Sequence, residues 1–316
     1  MKLQSRRTGQ LRMGKRGGLR EYFRREWLLY AMLLPVIVHH FIFSYLPMAG
    51  IAIAFKDYNL FSGIAGSPWV GLDVFRGLFL NNEFYRSIRN TLLLNVLSLL
   101  VIFPVPIFLA VMLNEVSMNR LKKSLQTMLY LPHFMSWVII GGVIYQMFAT
   151  NTGVVNTVIK ALGGSPVPFL TDKFCWVAVY LGSGVWQGMG WNAIIFLAAI
   201  TGIAPELYEA ARVDGAGRFK RIWHITLPSI RSTIAIMFIL AVGGIMNIGF
   251  DKPFMLGNAM VQDVSEVIST FVYRIGLTNA MFSEATAVGL FQSVINLVML
   301  ILANTVTTKL GESGIW

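Results

Sequence analysis

Charge is scarce in this chain: 13% of its 316 residues are Asp, Glu, Lys or Arg, and the 15 acidic residues are outnumbered by 26 basic ones. With 55% hydrophobic residues and a mean hydropathy of +0.63, too little polar surface remains to clothe a soluble globule, so the chain reads as a multi-pass membrane protein. A single cysteine, Cys175, excludes an intrachain disulfide and a Cys/His metal site, and is expected to be a packing residue. The histidines, His39, His40, His133 and His224, lack a metal-ligand spacing such as H-E-x-x-H, which argues against a membrane-embedded metalloenzyme. No G-x-x-x-x-G-K-[ST] loop is present, so the chain has no ATPase site of its own.

What is abundant is apolar sequence. Six segments, at about 28–50, 91–113, 134–150, 176–200, 229–249 and 285–306, approach the roughly 20 helical residues that cross a bilayer, the third being the shortest. None has the period-two alternation of barrel strands, so the expected fold class is all-α with six transmembrane helices. These segments hold almost no ionisable residues, which disfavours a proton relay or a carrier driven by an ion gradient, as does the lack of a visible internal repeat. His39 and His40 are the exceptions and are read as a tolerated or interior-facing polar pair. Clustered glycines, Gly141-Gly142, Gly182-x-Gly184, Gly188-x-Gly190 and Gly243-Gly244, suit close helix packing.

Orientation follows from the cations. Arg6, Arg7, Arg12, Lys15, Arg16, Arg20, Arg24 and Arg25 precede the first span; Arg120, Lys122 and Lys123 follow the second; Arg212, Arg218, Lys220 and Arg221 follow the fourth. The positive-inside rule brings all three clusters, and Lys309, to the cytoplasmic side, with both termini there. The expected organisation is a basic cytoplasmic tail over 1–27, a six-helix domain over 28–306 and a short cytoplasmic tail over 307–316. The basic tail faces lipid headgroups rather than nucleic acid, and its length argues against a cleaved signal peptide. Trp27, Trp137 and Trp176 stand near span starts, where indoles favour the headgroup zone.

Between the fourth and fifth spans, 203–228 is a polar, cationic island. Pro205 at a first helical position, Glu206 and Glu209 in the opening turns and Gly215 at the stop describe a short capped helix. A second basic helix then runs toward Pro228. Glu209-Ala210-Ala211, three residues, Gly215, nine residues, then Ile225-x-Leu227-Pro228, with Asp214-Gly215-Ala216 inside, resembles the EAA loop of the membrane subunits of binding-protein-dependent ABC importers. Secondary motifs extend the likeness over most of 28–306: Arg89-Asn90-Thr91-Leu92, Leu131-Pro132 and Gly153-x-x-Asn156 are similar to the carbohydrate-uptake branch. Tyr45-Leu46-Pro47-Met48, Phe55-Lys56-Asp57-Tyr58-Asn59 and Ser67-Pro68-Trp69-Val70-Gly71-Leu72 resemble permeases for complex saccharides, grouped with lipoprotein-type or polysaccharide-uptake systems.

The resemblance implies a type I ABC importer permease in a bacterial inner membrane, with Glu209, Ala210, Ala211, Asp214, Gly215, Ala216, Ile225, Leu227 and Pro228 coupling it to ATPase subunits. It implies no cofactor in this chain, ATP and Mg being bound by the two ATPase partners, together with a second permease and an external substrate-binding protein. An oligosaccharide solute is implied in the same way; a peptide or other small solute remains the rival, because the loop is common to all such importers. For solute contacts, Trp186, Gln187, Trp191 and Asn192 in the fourth span, Asn247 in the fifth, and Gln292 and Asn296 in the last offer aromatic faces and amides, with interhelical hydrogen bonding as the equal alternative. The outer segment 250–284, with Asp251, Asp263, Glu266, Tyr273 and Arg274, is expected to be structured, with a helix from Val264 to Ile275, serving either to receive the binding protein or to cap the bundle.

Overall fold

The structure is a computed structural model that describes residues 26–309, 311 and 314. The predicted basic tail, from residue 1 to residue 25, and most of the predicted tail at 307–316 beyond Lys309 lie outside the described residues. Among the described residues there is no strand, only one isolated antiparallel bridge between Lys56 and Trp69, and all regular structure is helical.

The chain divides into two units, 1–52 and 53–316. In the first, α1 (Trp27–His40) passes into a π-helical turn, Phe41–Tyr45, and then into the 3-10 stretch Leu46–Phe55. No side chain of α1 is buried. His39 packs on Phe43 with ring centroids 4.9 Å apart, and His40 Nδ1 lies 3.4 Å from Ser44 Oγ, so each histidine finds its partner one helical turn on.

In the second unit, α2 (Asn82–Val101) and α3 (Pro104–Glu115) form a nearly continuous helix, with Pro104 taking the first position of α3, where a missing N–H costs nothing. Then follow α4 (Asn119–Tyr130) and α5 (Trp137–Phe148). The two are bent by 101° because Pro132 stops the first run and Ser136 starts the second, its Oγ accepting from the Ile139 amide. The longest helix, α6 (Lys173–Thr201), is N-capped by Asp172, whose Oδ1 accepts from the Cys175 amide at 2.9 Å. It leads into α7 (Pro205–Val213) through a 70° bend and on to α8 (Arg218–Arg221). The unit closes with α9 (Arg231–Gly243), the short α10 (Asp251–Leu256) and α11 (Ile268–Tyr273), and α12 (Phe282–Lys309).

Among the described residues, three helices are long and apolar enough to cross a membrane, or up to six if each bent pair forms one span. The fifth expected span is helical only over Arg231–Gly243; the chain then unwinds until α10. Exposed peptide groups are expensive away from water, and the structure takes them up with side chains. Asn296 Oδ1 accepts from the Met246 amide at 3.0 Å, Gln292 Nε2 donates to the Met246 carbonyl at 2.5 Å, and Asn95 Nδ2 donates to the Ile245 carbonyl at 2.6 Å.

Small residues set the tightest contacts. A Cβ at Gly190 would run into the Leu129 carbonyl, so α6 and the end of α4 approach almost backbone to backbone. At Gly243 a Cβ would lie 2.5 Å from Leu300 Cδ1, closing α9 on α12. Trp176, expected near a headgroup zone, packs inside the protein: it is buried, with its indole N–H donating to the Leu256 carbonyl at 2.7 Å and its ring stacked on Tyr180. A buried indole needs an acceptor, and the end of α10 supplies one. Cys175 is half-buried and lines an apolar cleft with Val143, Met147 and Trp186, in keeping with a packing role.

Candidate functional site

The island between α6 and α9 is a helix, a glycine bend and a helix. Gly215 has φ +72, the left-handed conformation that side-chain-bearing residues adopt at a cost. Around it the Ala216 amide donates to the Ala211 carbonyl at 2.8 Å and the Gly215 amide to the Arg212 carbonyl at 3.0 Å. This pair of bonds is a Schellman stop, which satisfies the last carbonyls of α7 and turns the chain sharply. After α8 the backbone continues as a π-helical turn, Ile222–Thr226, and the Tyr208 hydroxyl lies 3.0 Å from Thr226 Oγ1, tying the first helix to the far end of the loop.

Of the nine predicted coupling residues, Glu209, Ala210, Asp214, Gly215 and Pro228 are exposed, while Ala211, Ala216, Ile225 and Leu227 are half-buried. The exposed side chains around them are strongly apolar: Leu207 is 51% exposed, Val213 88%, Phe219 88% and Trp223 70%. Exposed apolar side chains of this kind, in a stretch that also exposes Arg212, Lys220 and Glu209, fit contact with another protein. Phe219 and Trp223 were not among the predicted residues; the signal for them was two large aromatics inside an otherwise basic loop.

The seven candidate solute contacts are not brought together. Asn192 and Asn247 share a cleft of about 310 Å³ with Asn95, Ser98, Ile102 and Phe103. Gln292 and Asn296 are engaged with the unwound backbone at Met246. Trp191 stacks on His133 at 4.5 Å, and Gln187 Nε2 donates to the His133 carbonyl at 3.3 Å, so both brace the bend between α4 and α5. Trp186 lines a different, almost wholly apolar cleft. Asn95 and Ser98 escaped notice in the sequence, although two polar residues three apart in an apolar helix mark one face.

The segment 250–284 is structured but not one helix from Val264 to Ile275. It breaks at Glu266 and Val267, both extended, where the Val267 amide donates to Thr270 Oγ1 at 3.0 Å and the Glu266 carboxylate accepts from Arg86 at 3.0 Å and Arg274 at 2.8 Å. The Arg89-Asn90-Thr91 motif explains the break. Asn90 Nδ2 donates to the carbonyls of Asp263 and Glu266, both at 2.9 Å, and Thr91 Oγ1 accepts from the Ile268 amide at 2.9 Å. A hydrogen bond from Lys173, with that ammonium's charge, holds the Asp263 carboxyl below the ordinary carboxylate range. The motifs at 55–59 and 67–72 also meet: Phe55 stacks on Trp69 at 5.7 Å, and Lys56 Nζ donates to the Ile64 and Ser67 carbonyls.

Residues 73–311 match the family described as "Binding-protein-dependent transport system inner membrane component". The chain is similar to the polygalacturonan/rhamnogalacturonan transport system permease protein YteP of Bacillus subtilis, 44% identical over 288 residues, 91% of this chain and 90% of that one. It is also similar to protein LplB of the same organism, 42% identical over 93% of this chain and 92% of its relative. A chain in the crystal structure of a bacterial alginate ABC transporter, in complex with an alginate pentasaccharide-bound periplasmic protein, superposes with a TM-score of 0.86 at 42% identity. That superposition covers 94% of this chain and 99% of its counterpart.

Proposed function

This chain belongs to the family of binding-protein-dependent transport system inner membrane components, and on that footing we propose that it is the pore-forming permease subunit of an ATP-driven importer of oligosaccharides. It crosses the membrane six times with both termini inside, pairs with a second permease, takes its solute from an external binding protein, and receives its energy from two separate ATPase subunits that bind ATP and Mg. The lysine and arginine distribution supports that orientation, and the three long helices with three bent pairs support that number of spans. The names of the similar proteins support a saccharide solute.

The observation that carries the reading is the loop 203–228. A chain with no phosphate loop and almost no ionisable group in its spans nonetheless exposes Leu207, Val213, Phe219 and Trp223 on a glycine-bent helix pair. Docked on an ATPase, that pair moves with it, so two states of the motor select two states of the pore. Glu209, exposed on the same surface, meets a cationic group of the motor.

The test is Glu209→Lys in the complete transporter in proteoliposomes. Assembly is expected to persist, with ATP hydrolysis no longer stimulated by loaded binding protein and uptake lost. Full uptake by the variant counts against the coupling role. Uptake of labelled peptides but not of saccharides by the unaltered complex would keep the importer and overturn the solute class.

A further inference from the structure

The cleft formed by Asn95, Ser98, Asn192 and Asn247 offers amides and a hydroxyl, the groups that bind sugar hydroxyls, and none of its lining side chains is charged. One cation stands close behind its lining. Lys252 opens α10, five residues beyond Asn247, and its side chain is turned inward: the Nζ lies 3.7 Å from the centre of the Tyr180 ring and 5.2 Å from that of Trp137. A Cβ at Gly184 would run into this Nζ and lie 2.9 Å from Ile102 Cδ1, so the ammonium and Ile102 flank the same bare backbone. Ile102 lines the cleft. Gly184 therefore leaves the space into which the ammonium fits, beside the wall that faces the amides.

No carboxylate and no hydrogen-bond acceptor among the described residues pairs with Lys252 Nζ. That sets it apart from Arg86, Arg274 and Lys173 in the same outer region, each of which has an acidic partner. Aromatic faces attract an ammonium but do not neutralise it, and a half-buried cation without a counter-ion has given up part of its hydration uncompensated. A fold that only had to fill this space would do so with methionine or leucine. A retained ammonium with three free N–H donors beside a cleft lined with amides has the chemistry of a carboxylate receptor.

We propose that Lys252 is the anion-recognising residue of the solute path, and that the solute is an oligosaccharide bearing carboxylates, its hydroxyls held by the cleft amides and one uronate carboxylate held by Lys252. This rests on the permease reading above and narrows its solute class.

The complete transporter, with one binding protein in all arms, is compared as wild type, Lys252→Met and Lys252→Arg, with trigalacturonate and maltotriose as the probes. Wild type is expected to take up trigalacturonate. Lys252→Met is expected to lose that uptake by about tenfold or more, the worth of one charge-assisted hydrogen bond. Its ATPase stimulation by loaded binding protein should persist and its thermal midpoint should be equal or higher, while Lys252→Arg retains most uptake. Undiminished trigalacturonate uptake by Lys252→Met overturns the proposal. So does joint loss of uptake, stimulation and thermal stability, which marks a merely structural lysine. Wild-type uptake of maltotriose alone overturns this inference and leaves the saccharide permease standing; uptake of neither probe by the wild type removes both.

Discussion

Gly215 gives the sharpest handle on the coupling loop, because its backbone angle ranks substitutions before any functional assumption is made. At φ +72 with nothing within 4 Å of a built Cβ, the position imposes no steric limit from neighbours, so only backbone conformation discriminates. Alanine in the left-handed region costs about 1–2 kcal/mol. Asparagine, which visits that region readily, costs less. Valine, β-branched, costs more than alanine. Proline cannot reach positive φ, and it removes the amide that donates to the Arg212 carbonyl at 3.0 Å, so about 3 kcal/mol or more is lost and the Schellman stop with it. Because the loop is exposed, these energies act on the local population of the bent conformation rather than on the whole fold. A shift of about 1.4 kcal/mol changes that population ratio tenfold. In proteoliposomes, ATPase stimulation by loaded binding protein and solute uptake should fall in the order Gly, Asn, Ala, Val, Pro, with thermal midpoints nearly constant across the series. Equal uptake by the alanine and proline variants, or an asparagine variant as defective as proline, refutes the argument that the left-handed bend matters.

Asn90→Ala leaves the Glu266 carbonyl without its buried donor, while the Asp263 carbonyl keeps Arg89 Nη2 at 2.9 Å, and is expected to lower stability by about 1–3 kcal/mol, read as a drop in the midpoint of the purified chain; an unchanged midpoint would show that the clasp contributes nothing. Asn296→Leu strands the Met246 amide at the unwound end of α9, so the midpoint should fall by the equivalent of about 1–3 kcal/mol whether or not solute is present, whereas a role in solute contact alone would lower uptake and spare the midpoint. The Asp263 carboxyl is held below its ordinary range by Lys173, so its stabilisation is present at neutral pH and lost as pH falls through that depressed value. The difference in midpoint between wild type and Asp263→Asn should therefore be constant from pH 7 to about 5 and close below about pH 4; a difference that widens in acid reverses the sign and defeats the assignment.

The helical class, the positions of the long apolar runs and the geometry of the 203–228 loop were legible in the linear chain, because each rests on local rules. Apolar runs too long for strands have to satisfy their own peptide groups, Pro205 starts a helix, and a glycine after Asp214 stops one in the left-handed conformation. The polar residues inside the spans were legible only as a set. Asn192, Asn247, Gln292 and Asn296 look alike in sequence, yet two line a cleft and two hold unwound backbone, and nothing local distinguishes them. Trp176 shows the same division: its position suggested a headgroup indole, and the tertiary fold made it a buried donor to the Leu256 carbonyl.

By itself the sequence determined that this chain lives in a membrane as helices and carries a bent, cationic loop between two apolar segments, since composition, periodicity and capping act over a few residues at a time. Only the tertiary structure decided which amides face the cleft, why the chain unwinds after Gly243, and that Lys252 stands against Tyr180 and Trp137 without an acidic partner. Those outcomes depend on which residues far apart in the chain become neighbours, and the free energy of a polar group among apolar helices is set by the partner it finds there.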